Sequence, residues 1–482
     1  MNILLAAAEV VPYAKTGGLA DVAGALPKAL ARLGHNVRVV MPRYKLEKIE
    51  ACTERLDNEL AVPFNFGERR VEVFVDRSGE VPVYFIDAPE YFHRAKLYGE
   101  SDDIERFGFF SRAVLELAKG LGERFDIIHL NDWMTGLVPA YLKTVYAGDP
   151  AFASTKTLFT VHNLAFHGLF SPDQLPKLGL PGWIYRAEAG IEFYNLASAL
   201  KSGLVFSDAI STVSPRYAAE IQTPEFGEKF DGLLRARRSD LFGILNGVDY
   251  DEWNPATDRY IANQYSVGDL SGKQECKRDL LEAFGLPEDI DRPLIGCISR
   301  LSNQKGFDLI IPIASQMLDR GVNFVLLGSG EETYERAFQA LRDSRRSQVG
   351  VYLGFSNELA HKIEAGADMF LMPSRFEPCG LNQMYSLKYG TVPIVRAAGG
   401  LDDTIENFDR ATLRGTGFKF VEYDPARLLA KINEALAVYQ APDQWRALML
   451  NGMRADFSWD ASALHYVDLF QRLVGVGASA AV

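Results

Sequence analysis

Short apolar runs alternate with amphipathic stretches through the first half of the chain. The runs predict buried strands, whereas the stretches between them place apolar residues at helical spacing. The predicted strands are Ile3–Ala8, Val37–Met41, Val81–Ile86, Ile127–Leu130, Leu158–Val161, Ala209–Val213 and Leu241–Leu245. The predicted helices are Ala20–Leu33, Ile104–Leu121, Thr135–Tyr146, Asn195–Phe206 and Pro215–Ile221. Such alternation predicts a mostly parallel sheet covered on both faces.

A second series follows a break near Asn254–Gly272, where turn residues accumulate without apolar periodicity. Its predicted strands are Leu294–Ser299, Phe324–Leu327, Val351–Leu353, Met369–Met372 and Val392–Val395. Its predicted helices are Phe307–Leu318, Glu331–Leu341, Leu359–Ala365, Leu381–Tyr389 and Pro425–Ala437. The predicted fold class is therefore α/β, with two doubly wound domains. We expect domains at residues 1–250 and 273–457, a linker at 251–272, and a last helical segment, 458–482, that could return to the first domain.

Composition excludes several classes of partner. The net charge of -12 argues against a general affinity for nucleic acid or acidic membranes, and no apolar stretch approaches the length of a membrane span. The cysteines Cys52, Cys276, Cys297 and Cys379 have spacings that suit neither a zinc site nor a disulfide framework. Because the amino terminus also lacks a signal-peptide pattern, we expect thiols in a reducing cytoplasm.

A lysine and two glycines stand between the first predicted strand and the first predicted helix. Gly17 and Gly18 have no Cβ, so the backbone could turn sharply and let a ligand approach closely. The free N–H groups at the start of the helix would face that ligand, and Lys15 adds a positive charge. The stretch predicts an anion site; the alternative is a tight turn with a solvated lysine.

Two cations occupy the corresponding position in the second series. Arg300 and Lys305 follow the strand Leu294–Ser299 in one loop ahead of a helix, an arrangement that suits a diphosphate. They could neutralise charge that develops on a leaving phosphate. The alternative is a pair of solvated loop cations, and the recurrence of a cation in both series favours the binding site.

Glu377 lies in a loop between the strand Met369–Met372 and a helix. A carboxylate beside the N–H groups of a helix start could hold sugar hydroxyls while those groups hold phosphate. The alternative is a helix-capping carboxylate, worth about 1 kcal/mol.

Polar and aromatic residues gather after further strands of the first series. His162 follows Leu158–Val161, and Asp132 and Trp133 follow Ile127–Leu130, at carboxyl ends where open sheets carry their sites. Trp133 and Tyr98 could stack on sugar rings, although such aromatic residues more often pack. The Asp249-Tyr250-Asp251 match to a metal-binding DxD pattern is weak, so no metal is expected.

Three common nucleotide and hydrolase motifs are missing from the sequence. The chain contains no G-x-G-x-x-G, no G-x-x-x-x-G-K-[ST] and no G-x-S-x-G. These absences disfavour a dinucleotide oxidoreductase, a P-loop nucleotide hydrolase and an α/β-hydrolase.

Six blocks together resemble the bacterial glycogen synthases and plant starch synthases, in the same order. The blocks are Lys15–Val22, Asn131–Trp133, Val161–Asn163, Asn246–Asp249, Arg300 with Gln304–Gly306, and Glu377–Leu381. The resemblance spans Met1 to about Leu473. It implies a retaining glycosyltransferase of GT-B type, with two Rossmann-like domains facing a deep cleft and with no metal or other cofactor.

The resemblance also implies roles for individual residues. The residues that would meet the diphosphate or the transferred glucose are Lys15, Gly17 and Gly18, with Asp21 in the same binding loop. The residues that would bind the diphosphate and stabilise it as leaving group are Arg300 and Lys305. The residues expected around the glucose are His162, Asn246, Glu377 and the backbone of Cys379, Gly380 and Leu381. Phe355, after Gly354, would stack on the base, and the residues of the glucan side would be Tyr98, Asp132 and Trp133.

Two positions depart from the family pattern. Asn382 stands where many members carry Thr, which would alter a phosphate contact. Related retaining transferases carry a second Glu eight residues after the first, and here that position is Tyr385. A mechanism that needs two carboxylates is thereby weakened.

The function implied is transfer of glucose from ADP-glucose to the non-reducing end of glycogen or another α-1,4-glucan. One alternative is a retaining transferase that uses UDP-glucose or a different acceptor. A second is a glucan-binding relative without catalysis, although retention of Lys15, Arg300, Lys305 and Glu377 together argues against it. The oligomeric state is left open.

Overall fold

The computed structural model describes residues 1–46, 49–50 and 53–475, and Cys52 therefore lies outside the described residues. The described chain forms two compact units. The first comprises residues 1–213 and 218–247 together with the helix Trp459–Val474, and the second comprises residues 214–217 and 248–458.

The first unit is built on a mostly parallel sheet. Its strands are β1 (Asn2–Ala6), β2 (Asn36–Pro42), β3 (Glu54–Arg55), β4 (Leu60–Phe64), β5 (Gly67–Asp76), β6 (Val83–Asp87), β7 (Ile127–Asn131), β8 (Lys156–Val161), β12 (Ala209–Thr212) and β13 (Leu241–Gly243). Their order is β13-β12-β8-β7-β1-β2-β6-β5-β3, and β4 pairs with β5. All pairs from β13 to β6 are parallel, whereas the pairs made by β5 are antiparallel.

Helices surround this sheet. They are Gly18–Arg32, Pro89–Phe92, Asp103–Gly120, Val138–Lys143, Ala199–Phe206, Asp231–Ala236 and Trp459–Val474, and Pro215–Glu220 begins in the second unit's residues. A small antiparallel sheet of the same unit has the order β10-β11-β9, from β9 (Leu169–Phe170), β10 (Glu192–Phe193) and β11 (Leu196–Ser198). Apolar residues of β1, β7 and β8 are fully buried, which explains why these central strands are mostly apolar.

The second unit has one sheet of six parallel strands, in the order β16-β15-β14-β17-β18-β19. The strands are β14 (Leu294–Ile298), β15 (Asn323–Gly328), β16 (Val349–Leu353), β17 (Met369–Met372), β18 (Val392–Arg396) and β19 (Phe418–Phe420). The helices are Ser271–Ala283, Phe307–Leu318, Glu332–Ser344, Asn357–Gly366, Asn382–Lys388, Gly399–Thr404, Pro425–Tyr439 and Pro442–Arg454. Apolar side chains from both faces of the sheet form its core.

The predicted fold class is confirmed, because both units have parallel sheets with the strand and helix alternation that the sequence predicts. The sequence missed elements that lack a clear period, namely β3 to β5, β9 to β11, β19 and the helices Pro89–Phe92, Asp231–Ala236, Ser271–Ala283, Gly399–Thr404 and Pro442–Arg454. The predicted helix Asn195–Phe206 begins only at Ala199, since Leu196–Ser198 forms the strand β11. In the described part of the chain, no helix combines the length and the apolarity that a membrane crossing requires.

The stretch 251–272 packs within the second unit. The Trp253 ring stacks between the rings of His361 and Tyr385, with centroid distances of 3.9 and 4.0 Å. Asp258 is buried and accepts hydrogen bonds from Tyr389 Oη at 2.6 Å and His361 Nδ1 at 2.7 Å. These contacts pack the segment against the rest of the second unit despite its loop-like sequence. The domain limits drawn from the sequence stay predictions.

Candidate functional site

The second unit has a topological switch point between β14 and β17. From β14 the chain continues to β15 and β16 on one side, and then returns to β17 on the other. The loops after β14 and β17 therefore leave the same edge of the sheet in diverging directions, and ligands of such sheets bind in the resulting crevice. The sequence places Arg300 and Lys305 in the first of these loops and Glu377 in the second.

An ion pair joins the two loops. Lys305 Nζ lies 2.7 Å from Glu377 Oε2, and both side chains are largely buried, with 19% and 8% of their surface exposed. Ser374 Oγ donates to the same carboxylate oxygen at 3.0 Å. The structure therefore brings the predicted cation and the predicted carboxylate together, and each restrains the position of the other.

Backbone contacts hold these loops in register. Gly306 has a left-handed φ of 78°, and a Cβ there would lie 2.1 Å from the carbonyl oxygen of Pro373. Arg375 N–H donates to Gln304 O at 2.8 Å, and Gln304 Nε2 donates to Phe376 O at 3.3 Å. Only glycine permits this approach of the two backbones, so Gly306 helps to fix the position of the neighbouring Lys305.

Arg300 differs from Lys305 in its surroundings. It directly follows the bend after β14, and its side chain is exposed. Among the described residues no carboxylate pairs with its guanidinium, so all five N–H donors can reach a ligand. The two predicted phosphate ligands are therefore one anchored lysine and one accessible arginine.

The loop from Glu377 to Leu381 leads into the helix Asn382–Lys388 and is closely packed. Gly380 has a left-handed φ of 73°, and Gln383 Nε2 donates to the carbonyls of Cys379 and Gly380, at 3.0 Å each. A Cβ on Gly400 would lie 2.1 Å from the Cys379 carbonyl oxygen. The structure therefore fixes the backbone that the sequence analysis assigned to the glucose pocket.

Phe355 is the most exposed large apolar residue in the described chain, with 84% of its surface accessible. It follows Gly354, whose φ of 146° is outside the range of ordinary residues, directly after β16. An aromatic ring held out at the edge of a sheet offers a stacking surface, which agrees with the predicted base contact.

Tyr385 occupies the position of the missing second carboxylate. Its ring is 8% exposed and stacks on Trp253 with an interplanar angle of 3°. Tyr385 therefore packs within the fold, and Glu377 is the carboxylate that the described switch point contains.

The first unit has its own switch point between β1 and β7, because β2 lies on one side of β1 and β7, β8 and β12 lie on the other. The stretch with Lys15, Gly17 and Gly18 follows β1, and Asp132 and Trp133 follow β7. Lys15 Nζ pairs with Asp21 Oδ1 at 2.6 Å in an exposed position. Gly17 is extended and precedes the helix Gly18–Arg32, so the glycine pair stands at a helix start, and the anion site there stays a prediction.

Glu9 organises this loop and was missed by the sequence analysis. Its carboxylate is 3% exposed and accepts hydrogen bonds from Thr16 N–H, Thr16 Oγ1 at 2.7 Å and Gly17 N–H at 3.3 Å. Tyr98 Oη donates to it at 2.7 Å. Burial and the nearby Tyr44 and Glu9 raise the pKa of Tyr98 well above its usual value, which keeps this hydroxyl a donor. Glu9 therefore links the glycine loop to Tyr98.

Asp132 and His162 are brought together at the carboxyl ends of β7 and β8. Asp132 adopts a left-handed φ of 56°, which is strained for an aspartate, and its Oδ1 accepts from the His162 backbone N–H at 2.7 Å. Burial raises the pKa of Asp132 to about 7, against the lowering effect of backbone hydrogen bonds from His162 and Asn163. A carboxyl group that titrates near neutrality is typical of a functional site.

The His162 imidazole is neutral. Burial lowers its pKa to about 3, and its Nε2 lies 2.9 Å from Asn131 Oδ1. Asn131 Nδ2 donates to Ala6 O at 3.1 Å, which turns the amide oxygen toward the histidine. The Nε2 atom therefore carries the proton, and Nδ1 keeps a lone pair that can accept a hydrogen bond from a sugar hydroxyl. Asn131, which the sequence analysis noted without a role, sets this tautomer.

Asn246 and Trp133 complete the described part of the first unit's site. Asn246 is 5% exposed, and its Oδ1 is a buried acceptor without a hydrogen-bond partner among the described residues. Such an atom costs free energy unless a ligand or water satisfies it, which agrees with the predicted sugar contact. Trp133 lies under Gly168, where a Cβ would be 2.6 Å from the indole ring.

Two sequence families match the chain. The family described as "Starch synthase catalytic domain" matches residues 2–236, and the family described as "Glycosyl transferases group 1" matches residues 281–447.

Full-length relatives and solved structures extend this likeness. The glycogen synthase of Anaeromyxobacter sp. (strain Fw109-5) is 50% identical over 478 residues, covering 98% of this chain and 99% of that protein. The Thermotoga maritima glycogen synthase is 46% identical over 480 residues, with the same coverage of 98% and 99%. The catalytic domain of starch synthase IV from Arabidopsis thaliana, bound to ADP and acarbose, is 35% identical with a TM-score of 0.91, covering 98% of this chain and 99% of that one. A sucrose-phosphate synthase from Thermosynechococcus elongatus, 18% identical with a TM-score of 0.60 over 99% of this chain and 100% of that one, shares the fold.

Proposed function

The chain belongs to the family of bacterial glycogen synthases and plant starch synthases, and from that premise we propose that it transfers glucose from ADP-glucose to an α-1,4-glucan. The glucose is added at the non-reducing end, with retention of configuration at the anomeric carbon. The observation that carries the residue assignments is the Lys305–Glu377 ion pair at the switch point of the second unit.

Lys305 and Arg300 are the proposed ligands of the diphosphate. The exposed Arg300 can donate two hydrogen bonds at once to phosphate oxygens, whereas Lys305 supplies a charge that Glu377 and Gly306 hold in place. Both cations would stabilise the charge that develops as ADP leaves. We assign Phe355 to stack on the base. The starch synthase IV structure with ADP supports a nucleoside diphosphate as ligand of this fold.

The first unit is proposed to supply contacts to the sugars. The neutral His162, with Nδ1 as an acceptor, and Asn246, with its unsatisfied Oδ1, are assigned to glucose hydroxyls. Asp132, Trp133 and Tyr98 are assigned to the glucan, and Lys15, Gly17, Gly18 and Asp21 to the donor. Acarbose in the starch synthase IV structure supports an oligosaccharide as acceptor-side ligand.

We favour attack from the same face as the leaving group. The bond between the anomeric carbon and the ADP oxygen breaks, and a bond from the acceptor hydroxyl oxygen to that carbon forms. The hydroxyl proton passes to the departing phosphate oxygen. Glu377 forms an ion pair with Lys305 and accepts a hydrogen bond from Ser374. A carboxylate whose charge is compensated in this way is a poor nucleophile. Isolation of a glucosyl–Glu377 adduct by mass spectrometry would overturn this assignment.

A donor competition tests the function. Labelled ADP-glucose and UDP-glucose are offered together, once with glycogen and once without acceptor. We expect label in the glucan from ADP-glucose, with ADP release that depends on acceptor. Preferential incorporation of label from UDP-glucose into the glucan would establish UDP-glucose as the donor. Binding of glycogen without release of ADP or UDP would indicate a non-catalytic relative.

The proposed compartment is the cytoplasm. Cys276 and Cys297 are buried thiols, and burial raises the pKa of Cys297 to about 12, so it is protonated and unreactive. Buried thiols of this kind suit a reducing compartment.

A further inference from the structure

The Pro378 carbonyl oxygen, one residue beyond Glu377, accepts hydrogen bonds from two separate parts of the chain. The Gly400 N–H donates to it at 3.2 Å and is shared with the Glu377 carbonyl oxygen at 3.1 Å. The second donor is the hydroxyl of Ser214 at 2.7 Å, from a residue 164 positions earlier in the chain. The peptide unit that follows Glu377 is therefore fixed in part by a side chain that is remote in sequence.

Ser214 belongs to the short segment 214–217, which packs within the second unit although residues of the first unit flank it. Ser214 is fully buried. Two residues further on, the Arg216 backbone N–H donates to Asp403 Oδ2 at 2.8 Å. Asp403 lies on the helix Gly399–Thr404, whose start supplies the other donor to the loop. The segment therefore contacts both the loop and the helix that supports it.

Ser214 also caps the helix Pro215–Glu220, because the Tyr217 N–H donates to Ser214 Oγ at 3.1 Å. A helix cap of this kind needs only a hydrogen-bond acceptor, which Ser, Thr, Asn and Asp all provide. The hydroxyl has one proton as well, and that proton goes to the Pro378 carbonyl. Capping explains the contact with Tyr217, and it does not explain the contact with the loop.

We propose that Ser214 is a positioning residue for glucose transfer, acting through the peptide unit between Pro378 and Cys379. The C=O and the N–H of a trans peptide unit lie in one plane and point in opposite directions. A hydrogen bond that fixes the direction of the Pro378 carbonyl therefore also fixes the direction of the Cys379 N–H. The backbone of Cys379 is assigned to the glucose pocket, so the proposal rests on the proposed function.

The test separates binding of glucose from binding of ADP. Ser214→Ala removes the hydroxyl, so the Cys379 N–H loses part of its orientation while Arg300 and Lys305 stay unchanged. We expect kcat/KM for ADP-glucose to fall about tenfold, less than the roughly 10²-fold loss that misplacement by about 1 Å can cause. The Kd of ADP, measured by calorimetric titration, should keep its wild-type value because ADP carries no glucose.

Asp424→Ala is the matched control for loss of a helix cap in the same unit. Asp424 is exposed and caps the helix Pro425–Tyr439 by accepting from the Arg427 N–H at 3.1 Å. It should keep the wild-type kcat/KM and Kd. Asp403→Ala is a second variant, which removes the acceptor of the Arg216 N–H and leaves the Ser214 hydroxyl in place. It should lower kcat/KM for ADP-glucose in the same direction, by less, and it keeps the test available if Ser214→Ala does not fold.

The outcomes separate this inference from the function itself. If the wild-type protein binds ADP but transfers no glucose, the proposed function fails and this inference fails with it. If the wild type transfers glucose and both Ser214→Ala and Asp403→Ala keep its kcat/KM, the positioning role is refuted and the function stands. A tenfold loss of ADP affinity in Ser214→Ala, or an equal loss of activity in Asp424→Ala, would also refute an action on the glucose pocket.

Discussion

Lys305 forms an ion pair with the Glu377 carboxylate at 2.7 Å and can also attract a phosphate bound at the switch point. Because its stabilising effect would be largest when the leaving diphosphate gains charge, its loss should act mainly on kcat. We expect Lys305→Ala to lower kcat by about 10²–10³, as loss of a single transition-state donor does. Steady-state kinetics with ADP-glucose and glycogen measure this, and a near-normal kcat would remove Lys305 from the mechanism.

Ser374→Ala is a milder change at the same carboxylate and is compared with Lys305→Ala. It removes the 3.0 Å hydrogen bond to Glu377 but leaves the ion pair intact. Its effect on kcat should therefore be smaller than that of Lys305→Ala, and the effect of the double variant should be less than additive because the residues share one partner. Equal or larger loss in Ser374→Ala would mean that the serine, and not the lysine, is the critical partner.

Glu9 should affect activity by positioning the groups that donate hydrogen bonds to it. In Glu9→Gln the amide nitrogen faces hydrogen-bond donors, so part of the network with Thr16, Gly17 and Tyr98 is lost. We expect kcat/KM to fall up to about 10²-fold, as loss of precise positioning does, and Glu9→Asp to retain more activity because it keeps the charge. The control is Glu80→Gln, whose carboxylate forms a surface ion pair with Arg32 at 3.8 Å. Equal activity in Glu9→Gln and the control would refute the positioning role.

At the residue scale the sequence analysis named Lys305 and Glu377, which the structure pairs, and missed Glu9, which positions the glycine loop. Lys305 and Glu377 stand in loops after strands, and their pairing follows from the sheet topology. Glu9 lies directly after an apolar run, where a single acid indicates only the end of a strand. Its role depends on contacts with Tyr98, far along the chain, which no local pattern contains.

Among the elements, the loop after β14 is fixed by one glycine. Gly306→Ala would place a Cβ 2.1 Å from the Pro373 carbonyl oxygen, so the loops of Lys305 and Glu377 would have to separate. Strain in the left-handed region alone costs about 1–2 kcal/mol, and the clash adds to it. We expect a lower free energy of unfolding together with a loss of kcat, measured by urea denaturation and by steady-state kinetics.

Gly285→Ala provides the matched control for backbone strain. Gly285 has a left-handed φ of 64° in the same unit, and a Cβ there would meet nothing within 4 Å. It should lower stability by the strain alone and leave kcat as in the wild type. If both variants lose the same stability and neither loses kcat, the close approach at Gly306 has no bearing on the site.

The elements that the sequence predicted well are the parallel strands, because burial on both faces makes them continuous apolar runs. The antiparallel strand β4 alternates buried and partly buried residues, and β5 begins with four exposed ones, so the apolar signal of both is weaker. The helix Ser271–Ala283 contains six charged residues among its thirteen, and its buried face includes Lys273 and Lys277. Buried lysines obscure the apolar stripe by which a helix is identified from sequence.

For the whole molecule, a buried carboxyl group in the second unit should make stability depend on pH. Burial raises the pKa of Glu364 from 4.5 to about 8, although Ser386 and Lys273 act in the opposite direction. The folded protein then holds a proton that the unfolded chain releases above pH 4.5. Stability should therefore fall as pH rises toward 8, by up to about 1.4 kcal/mol per pH unit from this group.

Glu364→Gln should flatten that dependence, since glutamine does not titrate. Urea unfolding at several pH values between 5 and 8 would compare it with the wild type and with Glu282→Gln, an exposed residue of the same unit. The wild type and the control should share one pH profile, to which Asp132 and His162 also contribute, and Glu364→Gln should differ from both by the fall that Glu364 adds. A Glu364→Gln variant with the wild-type slope would show that another group controls the pH dependence.

The order of strands and helices along the chain was predictable, and so was the fold class, since hydrophobic periodicity encodes both. The distribution of segments between the units was harder to predict. Residues 214–217 belong to the second unit although unit-one residues flank them, and the packing of Trp253 between His361 and Tyr385 involves residues far apart in sequence. Periodicity describes which face of an element is buried, and it does not say against which partner.

The helix Trp459–Val474 belongs to the first unit. Ser462 Oγ donates to Leu245 O at 2.5 Å, Arg32 pairs with Asp460 at 3.1 Å, and the Tyr466 ring lies 5.5 Å from that of His129. During translation, the amino-terminal half therefore leaves the ribosome long before the segment that completes its packing. Until synthesis has passed residue 474, that half exposes an apolar groove where a chaperone could bind, and a premature stop before Trp459 would leave the groove open in the released chain.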